Sequence, residues 1–208
     1  MLLPTILLAQ IKIKGKTFEL SNDTLKSNLR LCDSLIKSEY QRLLNLYVDN
    51  RFIVIDSLKA KIDGDNIDDY IYVLSNKIQQ EYLPNSSCEI KYNNRLLVCF
   101  FSNNKRCPIL INENVILNQQ EYQVNPFRKI SVVNSGFKLS FYIGTRIRYY
   151  YDFYFRVDKN NDCFLYRSKS SSYDIHSSGS NKSQNKYYSP SKKTNLKTIN
   201  IRKFINYY

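Results

Sequence analysis

Five side chains suited to binding an anion fall within residues 146–157. Arg146, Arg148, Tyr150, Tyr154 and Arg156 occupy alternate positions, so in a β-strand they would share one face. Arginine pairs with phosphate, and tyrosine stacks on bases or sugars. The pattern predicts a polyanion or nucleic-acid binding face. Cross-strand pairing of these arginines with tyrosines or with Asp152 would produce the same pattern without any ligand.

An acidic loop at residues 61–69 is the second candidate site. Its carboxylates include Asp63, Asp65 and Asp69, arranged around Gly64 as in calcium loops, where oxygens converge on a hard cation. A calcium-stabilised structural module is therefore one hypothesis. Against it, Lys61 stands where such a loop has an acid, and no bidentate glutamate follows. The alternative is a turn that caps itself through its own side chains.

The sequence contains little evidence for a catalytic site. His176 is the single histidine and lies in a serine-rich stretch, where a catalytic geometry is difficult to hold. The five cysteines form no C-x-x-C pair, which disfavours zinc, and the glycines are too scattered for a phosphate-binding loop. We predict that the chain is not an enzyme and has no cofactor apart from the calcium considered above. Most cysteines are predicted to be buried free thiols, with a disulfide between Cys88 and Cys107 as an alternative.

Charge and aromatic residues are concentrated in the same part of the chain. The whole chain has 208 residues and a formal net charge of +13. Residues 126–208 contain 16 Lys/Arg and 4 Asp/Glu, a net charge of +12, and 18 of the 29 aromatic residues. This basic, aromatic region is consistent with binding to a polyanion. A sheet followed by a solvated basic tail would have the same composition.

Residues 125–167 give the clearest structural pattern. Residues 137–143, 146–157 and 163–167 alternate apolar and polar side chains with a period of two, which predicts an antiparallel meander with one buried aromatic face. Earlier in the chain, residues 10–20 predict a hairpin, and residues 52–58, 70–74 and 95–101 predict further strands. An apolar stripe at spacings of three and four predicts an amphipathic helix over residues 25–47.

The two ends of the chain differ from this central region. Residues 1–9 are apolar and end at a small residue, which is typical of the last part of a secretory signal; an apolar first strand is the alternative. No other apolar run approaches membrane-spanning length. Ten of the 28 residues at 168–195 are serine, which predicts a flexible segment. Residues 196–208 regain alternation and predict a terminal strand, so the single domain is expected to span residues 10–167.

Three segments, taken in order, carry a resemblance to known proteins. They are Asp-Gly-Asp-Asn-Ile-Asp-Asp-Tyr-Ile at 63–71, Asn-Pro-Phe-Arg-Lys-Ile at 125–130, and Tyr-Ile-Gly-Thr-Arg-Ile-Arg-Tyr at 142–149 leading to Phe-Tyr-Phe-Arg at 153–156. This order resembles a loosely defined group of uncharacterised exported bacterial proteins common in the Bacteroidetes. The resemblance covers about residues 56–167, and Tyr149 stands where the group often has tryptophan. It implies export and a β-rich domain, and no activity is assigned to the group.

Together these observations predict an α+β domain, in which the N-terminal helix packs on a mainly antiparallel sheet. The leading functional hypothesis is a non-catalytic exported protein, periplasmic or secreted, that binds another macromolecule as an inhibitor or immunity-like partner. A cytoplasmic location is the alternative. The other functional hypotheses are polyanion binding through the basic aromatic face and the calcium-stabilised module.

Overall fold

The computed structural model describes residues 9–13, 16–20, 52–76, 95–101, 109–117, 125–160, 162–176, 186–189 and 193–205. The first six strands are β1 (Ala9–Ile13), β2 (Lys16–Leu20), β3 (Phe52–Ala60), β4 (Asp69–Asn76), β5 (Arg95–Phe100) and β6 (Ile109–Asn112). The next six are β7 (Phe127–Val133), β8 (Gly136–Ile143), β9 (Ile147–Val157), β10 (Cys163–Asp174), β11 (Lys186–Tyr188) and β12 (Thr194–Asn195). A 3-10 helix follows at Ile201–Phe204.

All strand pairs in these ranges are antiparallel, and they form three sheets. Strands β1 and β2 form the predicted hairpin, and β3-β4-β5-β6 form a four-stranded sheet. The six-stranded sheet has the order β11-β10-β9-β8-β7, and the short β12 also pairs with β10. The meander predicted from the period-two pattern is confirmed, because β7 to β10 are neighbours in chain order.

The α+β class is wrong. The described residues contain no α-helix, and the helix predicted over residues 25–47 lies outside the described ranges. The apolar face of the meander is instead covered by the four-stranded sheet. Phe137, Phe153 and Phe155 from the six-stranded sheet belong to the same buried cluster as Ile71 and Leu97 from the four-stranded sheet. The two sheets therefore pack face to face around one aromatic and aliphatic core.

The central strands of the four-stranded sheet, β4 and β5, are buried on both faces. Strand β5 reads Arg-Leu-Leu-Val-Cys-Phe, a continuous apolar run of the kind that predicts a strand without a solvent side. Leu97 and Cys99 face the core between the sheets, whereas Leu96, Val98 and Phe100 belong to a second cluster on the opposite face. Cys99 and Cys163 are buried free thiols, as predicted, and the other three cysteines lie outside the described ranges.

The C-terminal segment differs from the prediction of a flexible region followed by a strand. Strand β10 continues through Asp174, because positions 168–174 extend the ladder with β9. After β12, positions 196–205 form a turn and the 3-10 helix rather than a strand. Leu196, Ile199 and Ile201 are buried in the core between the sheets. These apolar side chains make this segment part of the domain that was expected to end at residue 167. At the other end, Ala9 of the predicted signal segment begins β1, and residues 1–8 lie outside the described ranges.

Side-chain hydrogen bonds join the four-stranded sheet to the rest of the domain at its two edges. Asn112 of β6 donates through Nδ2 to the carbonyl oxygens of Leu196 and Ile199. On the opposite side, Asp56 of β3 accepts from the backbone N–H of Ile130 in β7 at 2.9 Å. The second oxygen of Asp56 accepts from the Ser57 N–H at 2.8 Å. A carboxylate can bridge here because β3 has a bulge between positions 54 and 56 that turns the side chain toward β7.

Asp56 should make stability depend on pH in an identifiable direction. Burial raises the pKa of its carboxyl group, although the N–H donors of Ile130 and Ser57 oppose that effect. The Asp56 carboxyl group therefore keeps its proton to higher pH in the folded state than in the unfolded state. It contributes stability that is lost as pH rises through the raised pKa. We expect the free energy of unfolding of Asp56→Asn, relative to that of the unsubstituted protein, to increase as pH rises from about 3 to 7. Urea denaturation at several pH values measures this difference.

The exposed carboxylate Asp162 supplies the control for this experiment. Asp162→Asn, measured in parallel, separates the effect of the Asp56 site from the loss of one negative charge in general, because Asp162 is exposed. A relative stability of Asp56→Asn that falls with rising pH would contradict the assignment.

Candidate functional site

The outer face of the six-stranded sheet, which points away from the four-stranded sheet, is strongly basic. The alternation along β9 is confirmed where the strand is central: Tyr151, Phe153 and Phe155 are buried, and Tyr150 is 43% exposed. Antiparallel register places the outward residues of neighbouring strands beside those of β9. In β7–β10 this face carries seven cations and a single carboxylate, Asp152: the cations are Arg128, Lys129, Lys138, Arg148, Arg156, Arg167 and Lys169.

Asp152 is engaged by its neighbours on β8. One of its oxygens accepts from Ser140 Oγ at 2.6 Å, and the other accepts from Lys138 Nζ at 3.1 Å. The Tyr154 hydroxyl also reaches Asp152, at 3.5 Å. Because this acid compensates one lysine, the seven cations and one carboxylate leave the outer face of β7–β10 with a net charge of +6.

Tyrosine rings lie between the cations and support them. The Arg156 guanidinium lies 4.6 Å from the centre of the Tyr166 ring, and the Arg167 guanidinium lies 5.1 Å from that of Tyr154. The two rings meet edge to face with centroids 6.2 Å apart. A guanidinium over an aromatic face is attracted by the ring quadrupole. These rings therefore hold the arginine side chains over the sheet, and their covered faces are less available to stack on a base.

A second group of tyrosines, the hydroxyl cluster, lies toward the start of β9. We define it as Tyr142, Tyr150 and Tyr173 together with Arg128 and Arg148. The Tyr150 and Tyr173 rings are stacked with centroids 5.9 Å apart, and the Tyr142 and Tyr150 ring centroids are 4.8 Å apart. The Tyr173 hydroxyl is 3.5 Å from both the Tyr150 hydroxyl and Arg148 Nη1. The two guanidiniums lie 4.5 Å (Arg128) and 5.5 Å (Arg148) from the centre of the Tyr142 ring.

The pKa values in the hydroxyl cluster follow from these contacts. Hydrogen bonds with the Tyr150 hydroxyl and then with Arg148 lower the pKa of Tyr173, because they stabilise its phenolate. The pKa of Tyr150 is raised, first by its hydrogen bond with the Tyr173 hydroxyl. Burial raises the pKa of Tyr142, and the nearby Tyr173 hydroxyl adds to this effect. Negative charge is thus favoured at the Tyr173 oxygen and disfavoured at the other two.

The structure brings together four of the five residues predicted to share a binding face. Arg148, Tyr150, Tyr154 and Arg156 point to the outer side of β9. Arg146 precedes the strand, and its Nε lies 3.4 Å from Asp174 at the end of the sheet.

Sequence reasoning missed several other members of this face. Bulges disturb the alternation around Arg128 in β7 and around Tyr166 in β10. Tyr173 was missed because it lies in the segment predicted to be flexible. Nothing in the sequence around Tyr173 indicates that its hydroxyl contacts Tyr150 and Arg148 on β9.

The acidic loop uses its carboxylates to bind its own backbone. Buried Asp69 accepts from the N–H groups of Ile62 at 2.7 Å and Asp63 at 3.2 Å. Asp63 accepts from the Asp65 N–H at 3.0 Å, and Asp65 accepts from the Ile67 N–H at 2.7 Å. In the described part of the chain, no three Asp, Glu, His or Cys side chains converge as metal ligands. This geometry matches the self-capping turn, which was the alternative to the calcium loop.

Comparisons with protein-family models, curated proteins and solved structures gave no match to this chain. Across the described ranges, no helix combines the length and the hydropathy needed to cross a lipid bilayer.

Proposed function

We propose that this chain is a non-catalytic binding protein whose outer sheet face binds a polyanion through phosphate or sulfate groups. The observation that carries this proposal is the seven cations and single carboxylate on one face of β7–β10. Arginine and lysine donors grouped in this way favour a ligand with repeated negative charges. Mutual repulsion among these cations is relieved when such a ligand binds.

The tyrosine contacts favour recognition of the backbone of a polymer over recognition of its bases. Guanidiniums cover the rings of Tyr142, Tyr154 and Tyr166. Base stacking on these rings would displace the cations, whereas an oxyanion can bind the outward N–H groups of the same guanidiniums with the stacking intact. Phosphate and sulfate share this chemistry, so the polymer is defined by its charge and not by its bases.

In the described part of the chain, the chemistry of the histidine and of the two cysteines supports a non-catalytic role. His176 is exposed, and its backbone N–H donates to Asp174 at 2.9 Å. Burial raises the pKa values of Cys99 and Cys163, which disfavours a nucleophilic thiolate at either position. Export remains part of the proposal and rests on residues 1–9 and on the resemblance to exported bacterial proteins. An acidic protein partner, such as the target of an inhibitor, is the competing ligand.

Charge reversal on the outer face tests the proposal. The variant Arg128→Glu/Arg148→Glu/Arg156→Glu should bind fluorescent heparin and oligothymidylate at least about a hundredfold more weakly, because three charge-assisted contacts are replaced by repulsion. For the oligothymidylate, the slope of log affinity against log salt should fall by about 2, since each single-strand phosphate contact contributes about 0.7. Fluorescence anisotropy at several salt concentrations measures both quantities.

A matched variant separates the face from the overall charge. Lys61→Glu/Lys197→Glu/Lys203→Glu changes the net charge by the same amount at exposed positions off this face. It should retain affinity within about threefold, since long-range attraction is screened at physiological salt. Binding of heparin alone would identify sulfate as the preferred group, and binding of oligothymidylate alone would identify phosphate. Equal losses in the two triple variants, or no binding by the unsubstituted protein, would refute the proposal.

A further inference from the structure

The hydroxyl group of Tyr142 is an unusual feature of the outer face. The side chain is 7% exposed, and its oxygen makes no hydrogen bond of normal length, although the Tyr173 hydroxyl and the Arg148 guanidinium are close enough to influence it. Buried hydroxyls are normally hydrogen-bonded, so one without such a bond requires a specific explanation. The residue sits on β8 opposite Tyr150 of β9, directly within the hydroxyl cluster.

Donors from strands β9 and β10 and from the β7 bulge surround this group. Arg128 reaches over the Tyr142 ring from β7, and Arg148 reaches over it from β9. Tyr173 of β10 contributes a hydroxyl whose two hydrogen bonds, to Tyr150 and Arg148, are both 3.5 Å long. Hydrogen bonds of this length are weak, so an acceptor that fits better can replace them at small cost.

We propose that the hydroxyl cluster is a subsite for a single tetrahedral oxyanion, the phosphate or sulfate group of the polyanion. This inference rests on the proposed function and identifies where one charged group of the ligand is held. The Tyr142 hydroxyl donates to one oxyanion oxygen, Tyr150 or Tyr173 donates to another, and the two guanidiniums supply the neutralising charge. Such charge-assisted hydrogen bonds are stronger than those between neutral groups.

The electrostatics of the cluster agree with this assignment. The Tyr150 hydroxyl and Arg148 lower the pKa of Tyr173 because they stabilise negative charge at its oxygen. An oxyanion bound beside these two groups gains the same kind of stabilisation. The other tyrosine group on the face is less suitable. Its Tyr154 hydroxyl lies 3.5 Å from Asp152, and that carboxylate would repel an anion.

Inorganic phosphate and inorganic sulfate, titrated separately, test the subsite without any polymer. With isotope-labelled tyrosine, NMR should show saturable shifts at Tyr142, Tyr150 and Tyr173. Tyr142→Phe and Tyr173→Phe should each weaken the binding of the preferred anion by about tenfold, the effect of losing one hydrogen bond to a charged group. The control Tyr154→Phe should leave the affinity within about twofold, because it removes no donor of the subsite. The two titrations distinguish phosphate from sulfate as the occupant.

The stability of Tyr142→Phe separates ligand binding from a structural role. Because the hydroxyl makes no hydrogen bond of normal length in the fold, its removal should leave the melting temperature unchanged or raised. A lower melting temperature with unchanged phosphate and sulfate affinity would overturn the subsite, as would shifts that never saturate with either anion.

The polymer assay and the small-anion titrations can fail independently of each other. If Tyr142→Phe and Tyr173→Phe bind heparin and oligothymidylate as the unsubstituted protein does, the subsite is refuted while the polyanion-binding function stands. If neither polymer binds but phosphate or sulfate binds saturably at the cluster, the polyanion-binding function is refuted while the oxyanion subsite stands.

Discussion

Replacing Phe153 with alanine is expected to lower the free energy of unfolding by about 3–5 kcal/mol, the range for truncating a fully buried aromatic side chain. Phe153 is 0% exposed at the centre of β9. Its ring stacks on Tyr151 at 6.2 Å and meets Phe141 and Phe204 edge to face at 5.9 and 6.4 Å. Alanine removes all three contacts, and the surrounding sheets cannot close the cavity without shifting the strands. Urea denaturation followed by circular dichroism measures the loss.

The neighbouring outer face provides the control for this substitution. Tyr150→Ala lies three positions earlier on the same strand but points to the opposite side. Its side chain is 43% exposed, so its removal should cost about 1 kcal/mol or less from cross-strand contacts. A cost for Phe153→Ala no larger than that for Tyr150→Ala would mean that the aromatic face of the meander is not the core.

Gly136→Ala should destabilise the protein by about 3 kcal/mol, the upper part of the usual range for overpacking. A Cβ atom at this position would lie 1.9 Å from the carbonyl oxygen of Phe155 and 2.9 Å from its carbonyl carbon. These are backbone atoms of the paired strand β9, so rotation of a side chain cannot relieve the clash. The β8–β9 ladder itself would have to move, and this ladder carries both the core phenylalanines and the outer tyrosines. Thermal and urea denaturation measure the effect.

Gly64→Ala offers a comparison in which only backbone conformation changes. Gly64 has φ of +91°, and nothing lies within 4 Å of a Cβ atom there. Its substitution should cost about 1–2 kcal/mol, the strain of a left-handed conformation for a residue with a side chain. If Gly136→Ala were the milder of the two, the close approach of β8 and β9 would be refuted.

The strand pattern of the central region could be predicted from the sequence because burial repeats every second residue there. Phe153, Phe155 and Val157 are buried, and Tyr154 and Arg156 are not, as the alternation of residues 146–157 indicates. The same logic failed for β7. A bulge between positions 127 and 129 places inward Phe127 and Ile130 three residues apart, which hides the period of two.

The candidate site could be predicted only in part, for a related reason. Four of its members lie on one strand, and their spacing alone placed them on one face. Arg128, Tyr142 and Tyr173 come from three other parts of the chain, and only the registers of β7, β8 and β10 bring them to β9. In the acidic loop, the spacing of the carboxylates suggested a cation site. In the structure, Asp69 points inward and accepts hydrogen bonds from backbone N–H groups.

By itself, the sequence determined which side chains of each regular strand share a face, because that relation depends only on the local geometry of an extended chain. It also determined that one region would be basic and aromatic. The tertiary structure decided what covers the apolar face, a second sheet in place of the predicted helix, since a hydrophobic surface accepts any partner of suitable shape. It also decided which cations and hydroxyls meet on the outer face, because strand register between distant segments is a property of the assembled sheets.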